Sequence, residues 1–263
     1  MANGRASRLR EIDGRRMDPA RFAHACDAVS QAARNACGDS VRAILVHGSA
    51  WKGGFFPHFS DFDAQLFLDR ACMEGPLTPL PETAIALQRE LGPLDPATFA
   101  ISQFQVFAVN ADDLPPEWEA PVPGSYRMLT GEPPAWPEGG PAPMARARDR
   151  LVEARRVAAG LLRSFQDKSD GRAANSVRLG GTAVKGLLPH AAIALGAPAT
   201  AAWTWGLSRL LGDLPLPPAL REEAADFFLS VDPWLEVRED PEAVRQLFGA
   251  VHRLLLSLAD CAP

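Results

Sequence analysis

Two aspartates separated by one residue, Asp61 and Asp63, carry the clearest chemical signal in this sequence. The apolar run at 63–68 predicts a β-strand, in which alternate side chains point to the same face. Two strand rises then place the two Cβ atoms about 7 Å apart on one face. Mg²⁺ commonly takes one or two carboxylates together with oxygens of a bound phosphate. The pair therefore predicts a Mg²⁺ site, with both aspartates as catalytic metal ligands.

A Gly-Ser step, Gly48 followed by Ser49, ends the preceding apolar run at 41–47. Glycine lets the backbone approach a phosphate group, while the serine hydroxyl and the amides after it can donate hydrogen bonds to phosphoryl oxygens. Ser60, directly before the aspartates, is predicted to add a second hydroxyl. Ordinary turns use the same short polar residues. The prediction of a nucleotide site therefore depends on the order in which the Gly-Ser step and the aspartate pair follow one another between two apolar runs.

A triphosphate needs positive charge beyond that of one metal ion, and Lys52, Arg178 and Lys185 are the candidates for it. The stretch 180–186 has the glycines and the lysine of a phosphate loop but not their G-x-x-x-x-G-K-[ST] order. It also lies in a helical pattern. We therefore expect a closely packed helix there.

Residues 48–63, GSAWKGGFFPHFSDFD, resemble the signature of the DNA polymerase β-like nucleotidyltransferase superfamily, in which Gly-Ser, a short spacer and Asp-x-Asp follow one another. Within that superfamily the sequence looks most like the aminoglycoside nucleotidyltransferases that adenylylate streptomycin and spectinomycin, although its spacer holds one extra residue. The resemblance is clear over 41–69 and weaker over 99–119. The helical remainder agrees in length and class only.

This resemblance implies an α+β fold, in which a nucleotidyltransferase domain at 1–143 contains a polymerase β-like mixed sheet with helices. An all-α, substrate-binding bundle would follow at 144–263. The implied reaction transfers AMP from ATP, with Mg²⁺ as cofactor, to a hydroxyl group of a small polar acceptor. An aminoglycoside would be one such acceptor, and antibiotic resistance its consequence. The expected partners are thus a nucleoside triphosphate and a small polar, cationic molecule.

The sequence departs from the family at its third carboxylate, which acts as general base on the strand equivalent to 99–109. The matching residue is Gln103 or Gln105, depending on the register, and neither can take a proton. Loss of a general base usually costs about 10²–10⁴-fold in rate. Two alternatives to AMP transfer onto a small molecule stay open. One is a nucleotide-binding protein of the same fold with lost or weak catalysis. The other is transfer of AMP to a protein partner.

Acidic residues follow that strand in a proline-rich segment at 112–143, where they could replace the base or attract a polycationic acceptor. They are Asp112, Asp113 and Glu117. Acidic residues in such loops are more often simply solvated. The prolines exclude long helices and interior strands from this segment.

The elements that must position these residues follow from hydrophobic periodicity and from glycine and proline stops. Strands are predicted at 41–47, 63–68 and 99–109. Helices are predicted at 18–35, 81–91, 144–167, 173–196, 199–212, 217–230 and 241–260. The basic N-terminus, with Arg5, Arg8, Arg10, Arg15 and Arg16, is predicted to be a solvated, partly frayed end.

Composition restricts the remaining function classes. The chain has 263 residues and a formal net charge of −5, which argues against nucleic-acid binding because such proteins present a basic face. No apolar run approaches the ~18 residues of a membrane span, so a cytoplasmic location is expected. The expected oligomeric state is a monomer or a homodimer. The four cysteines and five histidines lack metal-ligand or catalytic-triad spacing, and they predict neither a zinc site, nor a disulfide framework, nor a hydrolase.

Overall fold

The computed structural model describes residues 2–115, 118, 121–132, 134, 142–169, 171–213 and 216–261. Its helices are α1 (Ala2–Gly14), α2 (Pro19–Cys37), α3 (Ser49–Lys52), α4 (Pro81–Leu91), α5 (Pro143–Phe165), α6 (Gly171–Ala194), α7 (Ala199–Ala202), α8 (Leu207–Gly212), α9 (Pro218–Glu236) and α10 (Pro241–Ala259). Its strands are β1 (Val41–His47), β2 (Phe62–Leu68), β3 (Phe104–Asn110) and β4 (Tyr126–Thr130). The chain divides into two compact units, residues 14–141 and residues 1–13 with 142–263. We refer to them as the sheet unit and the helical unit.

The sheet unit contains a mixed sheet with the strand order β3-β2-β1-β4. Strand β1 pairs antiparallel with both β2 and β4, whereas β2 pairs parallel with β3. The end of β1 therefore lies beside the beginnings of β2 and β3. The predicted α+β organisation, a mixed sheet with helices and a helical C-terminal region, is confirmed.

The two faces of the sheet differ because strand side chains alternate. One face is apolar along its length and packs with α2 and α4; its buried side chains include Ile44, Val46, Phe62, Ala64 and Leu66. The opposite face has a smaller core, formed by Ala43, Leu45, Phe67, Val109 and Trp118. Further along this second face, toward the end of β1, the side chains become polar. That polar end carries the predicted site.

The helical unit packs its long helices α5, α6 and α10 against one another. Helix α6 is continuous through the stretch 180–186, as the sequence predicted. A Cβ atom on Gly180 would overlap the Val251 side chain of α10, so glycine permits this close approach. The glycines in this stretch thus include one that serves helix packing.

The N-terminus differs from its prediction, because residues 2–14 form helix α1 instead of a frayed end. Leu9 and Ile12 are buried in α1, and the Asp13 carboxylate accepts hydrogen bonds from the backbone amides of Leu207 and Ser208. These contacts tie residues 1–13 to the helical unit, whereas the sequence grouped them with the nucleotidyltransferase domain. The partners lie more than 190 residues away, so local patterns do not show them.

One predicted strand is shorter than expected, and one further strand was not predicted. The strand predicted at 99–109 begins only at Phe104, because residues 96–99 form a 3₁₀ turn and Ala100 adopts a left-handed φ of 53°. Strand β4 lies inside the proline-rich segment for which no interior strand was expected. It is compatible with those prolines because it is short and lies at the edge of the sheet. Several helix ends also shift, and the helix predicted at 199–212 is divided into α7 and α8.

Two further properties of the described residues concern membrane spans and cysteines. Of the described helices, none combines the length and the apolar character needed to cross a membrane. The four cysteines are unbridged, with Cys26 buried and the other three partly buried.

Candidate functional site

The polar end of the sheet brings together residues from three adjacent strands. In the antiparallel register His47 of β1 lies opposite Asp63 of β2, and in the parallel register Asp63 lies beside Gln105 of β3. Directly paired residues share a face, so these three side chains line one surface. Asp61 precedes β2 by one residue and is also buried, at 4% exposed. Sequence reasoning predicted the aspartate pair, and the structure adds its neighbours.

Gln105 connects the two aspartates directly. With its amide nitrogen turned toward β2, Nε2 donates to Asp61 Oδ2 at 3.1 Å and to Asp63 Oδ1 at 3.3 Å. This contact decides the register left open by the sequence, since Gln105, not Gln103, faces the pair. Gln103 precedes the strand, and its carbonyl accepts a hydrogen bond from Phe62 N at 3.0 Å. A single nitrogen atom that reaches both carboxylates shows that the two oxygens converge on one point.

The converging carboxylates fit a hard divalent cation. Both oxygens could turn toward an ion placed where the Gln105 amide donates, and Mg²⁺ prefers carboxylate oxygens of this kind. Across the described part of the chain, no group of three or more His, Cys, Asp or Glu side chains could hold a metal. The protein would therefore supply two carboxylates, and water or substrate oxygens would complete the octahedron.

Gly48 is required where it stands for two reasons. Its φ of 72° and ψ of −160° are a conformation that residues with a side chain rarely adopt. A Cβ atom built on it would also overlap Asp63 Oδ2 and lie 3.2 Å from Asp63 Cγ. The backbone of the loop after β1 therefore contacts the aspartate pair directly.

Ser49 begins the short turn α3 and is 8% exposed. Its hydroxyl makes no hydrogen bond to another of the described residues. Ser60 is placed differently, because its hydroxyl accepts a hydrogen bond from Phe56 N at 3.0 Å and so closes the loop before β2. Of the two predicted hydroxyls, Ser49 is thus the one that makes no hydrogen bond to the described residues, whereas the Ser60 oxygen is committed to the loop backbone.

Lys52 and His47 shape the electrostatics of the site. Burial lowers the pKa of the Lys52 ammonium, and the neighbouring Asp63 carboxylate opposes this shift. Burial also lowers the pKa of His47, to about 4, and the charge of Lys52 contributes in the same direction. His47 Nε2 has no hydrogen-bond partner among the described residues. At neutral pH the His47 imidazole is uncharged, and the other ionisable side chains of the site are two acidic ones, Asp61 and Asp63, and one basic one, Lys52.

The other predicted site residues belong to other structural elements. Arg178 and Lys185 are on α6 of the helical unit, where Arg178 Nε donates to Asn175 Oδ1 at 2.8 Å. Asp112 and Asp113 follow the far end of β3, roughly 20 Å of strand from Gln105. Asp112 Oδ2 accepts a hydrogen bond from Arg70 N at 3.1 Å. The described acidic loop residues are therefore not beside the aspartate pair, and Glu117 lies outside the described residues.

Sequence reasoning missed the contribution of β4. Tyr126 of β4 lies opposite His47, and the guanidinium of Arg127 lies 5.6 Å from the ring centroids of both Phe22 and Trp51. Because Trp51 belongs to α3, this stacking holds the loop after β1 from the other face of the sheet. The short run 126–130 was the only available signal, and surrounding prolines obscured it.

Compared with known proteins, the chain matches no protein-family model and no protein with a curated description.

Proposed function

We propose that the protein is a Mg²⁺-dependent nucleotidyltransferase that transfers AMP from ATP to a hydroxyl group of a small polar acceptor. The observation that carries this proposal is the convergence of Asp61 and Asp63 on one point, directly beside the backbone of Gly48. A polymerase β-like nucleotidyltransferase fold for the sheet unit is part of the proposal. The order of Gly-Ser and Asp-x-Asp around β1 and β2 supports it.

Each residue of the site has a role in this proposal. Asp61 and Asp63 would hold Mg²⁺, which when bound offsets negative charge on the phosphates as they react. Gly48 leaves room for a phosphate to approach the backbone, and the Ser49 hydroxyl would donate to a phosphoryl oxygen. Lys52 lies in the field of Asp63 and would add positive charge near the phosphates.

The acceptor would be cationic, because the site has two acidic side chains against one basic one and the whole chain carries a formal charge of −5. An aminoglycoside meets this requirement. The proton of its hydroxyl group cannot go to the Gln105 amide, so an aspartate oxygen that holds no metal would receive it. Asp63 is the more exposed of the pair and is the better placed for this task.

A transfer assay tests the proposal. Protein, Mg²⁺ and ATP labelled at the α-phosphate are incubated with a panel of aminoglycosides and other polyols, and acceptor adducts and pyrophosphate are measured. Adducts should form with wild type and disappear with Asp63→Asn. Asp113→Asn is the matched control, since this exposed aspartate follows β3 at the far end of the sheet and should leave transfer unchanged. Full transfer by Asp63→Asn would contradict the proposal.

A second candidate is a nucleotide-binding protein of the same fold with lost catalysis. The contact of Gln105 with both aspartates favours it, because an amide donor occupies the position where the family resemblance places a general base. Metal-dependent ATP binding without transfer to any acceptor would support this candidate. Adduct formation by the wild-type protein would exclude it.

A further inference from the structure

A second concave site lies within the helical unit, between α1, α8 and α9. It is an open cleft of about 620 Å³, a size typical of small-molecule sites. Its floor is aliphatic and consists of Leu9, Leu211 and Ala225, each at most 5% exposed. The residues proposed for nucleotidyl transfer do not line it, so it would serve a different ligand.

The walls of this cleft are fixed by polar contacts. The Asp13 carboxylate of α1 binds the backbone amides of Leu207 and Ser208 and also the Ser208 hydroxyl at the start of α8. Arg5 of α1 forms an ion pair with Asp226 of α9, with Nη2 2.5 Å from Oδ1. Contacts on both sides of α1 thus fix its position against α8 and α9, and a preformed site costs less ordering on binding.

Two opposite charges line the rim of the cleft. Arg221 and Glu222 are adjacent on α9, and both line the cleft. Neither side chain forms an ion pair or a hydrogen bond with another described residue. By contrast, the neighbouring Glu223 is paired with Arg253 at 2.7 Å. The cleft therefore presents the Arg221 guanidinium and the Glu222 carboxylate above an aliphatic floor, while the guanidinium of Arg5, which also lines it, is paired with Asp226.

We propose that this cleft binds a small zwitterion with an aliphatic body, such as an apolar α-amino acid. The carboxylate of the ligand would bind Arg221, its ammonium group would bind Glu222, and its aliphatic chain would cover Leu9 and Leu211. A guanidinium offers two parallel donors to a carboxylate, and charge-assisted hydrogen bonds are the stronger kind. A ligand with a single charge would meet only one of the two rim groups.

Three probes of equal carbon chain length separate the contributions: norleucine, hexanoate and hexylamine. Binding to the full chain is measured by isothermal titration and by saturation-transfer NMR. Norleucine should bind more tightly than either singly charged probe. Arg221→Gln and Glu222→Gln should each weaken norleucine binding about tenfold, which corresponds to roughly 1.4 kcal/mol. Arg163→Gln is the matched control, because this exposed arginine of α5 does not line the cleft.

Three results would overturn the proposal. In the first, norleucine does not bind the wild-type protein at millimolar concentration. In the second, hexanoate or hexylamine binds as tightly as norleucine, so that the second charge contributes nothing. In the third, norleucine binding is unchanged in both Gln variants while their circular dichroism spectra match wild type, which would place the probe elsewhere.

Discussion

Gln105 lies directly beside Asp63 in the parallel register of β2 and β3, with its amide nitrogen 3.3 Å from Asp63 Oδ1. The same nitrogen lies 3.1 Å from Asp61 Oδ2. A neutral amide thus donates to two carboxylates that would otherwise repel each other at a buried position. This relationship stabilises the arrangement of the two carboxylates, and in the proposed reaction it leaves this position without a group that could take a proton from an acceptor.

Restoring a carboxylate at this position should increase transfer. We expect Gln105→Glu to raise the rate of adduct formation by about 10²-fold or more at saturating Mg²⁺, because a general base is regained. In metal-free buffer the same variant should lose roughly 1–3 kcal/mol in free energy of unfolding, since two buried hydrogen bonds become a like-charge contact. Transfer assays and urea denaturation with EDTA or Mg²⁺ measure both effects.

Gln103→Glu is the control for this variant, because residue 103 precedes β3 and is not the partner of Asp63. It should transfer AMP at the wild-type rate, and its free energy of unfolding should respond to Mg²⁺ as that of the wild type does. If Gln105→Glu bound ATP normally but transferred no more AMP than wild type, the missing base would not limit the reaction.

Gly48→Ala should disrupt the loop after β1. The substitution places a side chain at a φ of 72° and in overlap with Asp63 Oδ2. We expect a loss of about 1–3 kcal/mol in free energy of unfolding together with the loss of ATP binding. Gly75→Ala is a control within the same unit, since its added Cβ atom would meet only Thr78, at an ordinary 4.0 Å. A Gly48→Ala protein as stable as the Gly75→Ala protein would refute the close approach to Asp63.

His190 should make the helical unit sensitive to mild acid. It is 7% exposed, its Nδ1 has no hydrogen-bond partner among the described residues, and its ring packs edge-on against Trp203. Burial, together with the smaller effect of the charges of Arg150 and Arg146, lowers the pKa of His190 to about 4. An unfolded histidine has a pKa of about 6.5.

The folded state therefore favours the uncharged ring, and the unfolded state takes up the proton first. The stability that this preference contributes is complete above about pH 6.5 and is lost as the pH falls toward about 4, by at most about 3 kcal/mol. In His190→Phe this part of the pH dependence should disappear, as measured by urea denaturation at several pH values. His58→Asn, which changes an exposed histidine, should retain the wild-type profile. Identical profiles for wild type and His190→Phe would show that His190 does not contribute.

The core of the candidate site could be predicted because its signals are local. The alternation of side chains along an extended chain places Asp61 and Asp63 on one face. The glycine at position 48 indicates a backbone conformation and a close contact that exclude a side chain. Both conclusions need only neighbouring residues. Strands β1 and β2 were predicted for the same reason, since each is a short apolar run bounded by residues that favour turns.

The remaining features depend on pairing between distant segments. Whether Gln103 or Gln105 faces the aspartates is decided by the register of β2 against β3, which the sequence of β3 does not contain. The position of Asp112 depends on the same pairing. Because β3 runs parallel to β2, the residues after β3 lie at the end of the sheet that is far from the aspartate pair. Helix α1 gains its partners from residues near position 207, beyond the range of any periodic pattern.

Titration of ATP by isothermal calorimetry, with and without Mg²⁺, tests the central claim most directly because it needs no knowledge of the acceptor. The wild-type protein should bind ATP in a Mg²⁺-dependent manner, and the double variant Asp61→Asn/Asp63→Asn should lose that dependence. Asp112→Asn/Asp113→Asn should bind as wild type does. ATP binding of equal strength in the wild type and in the Asp61/Asp63 double variant, with Mg²⁺ present, would contradict the assignment of these two carboxylates to a metal and nucleotide site.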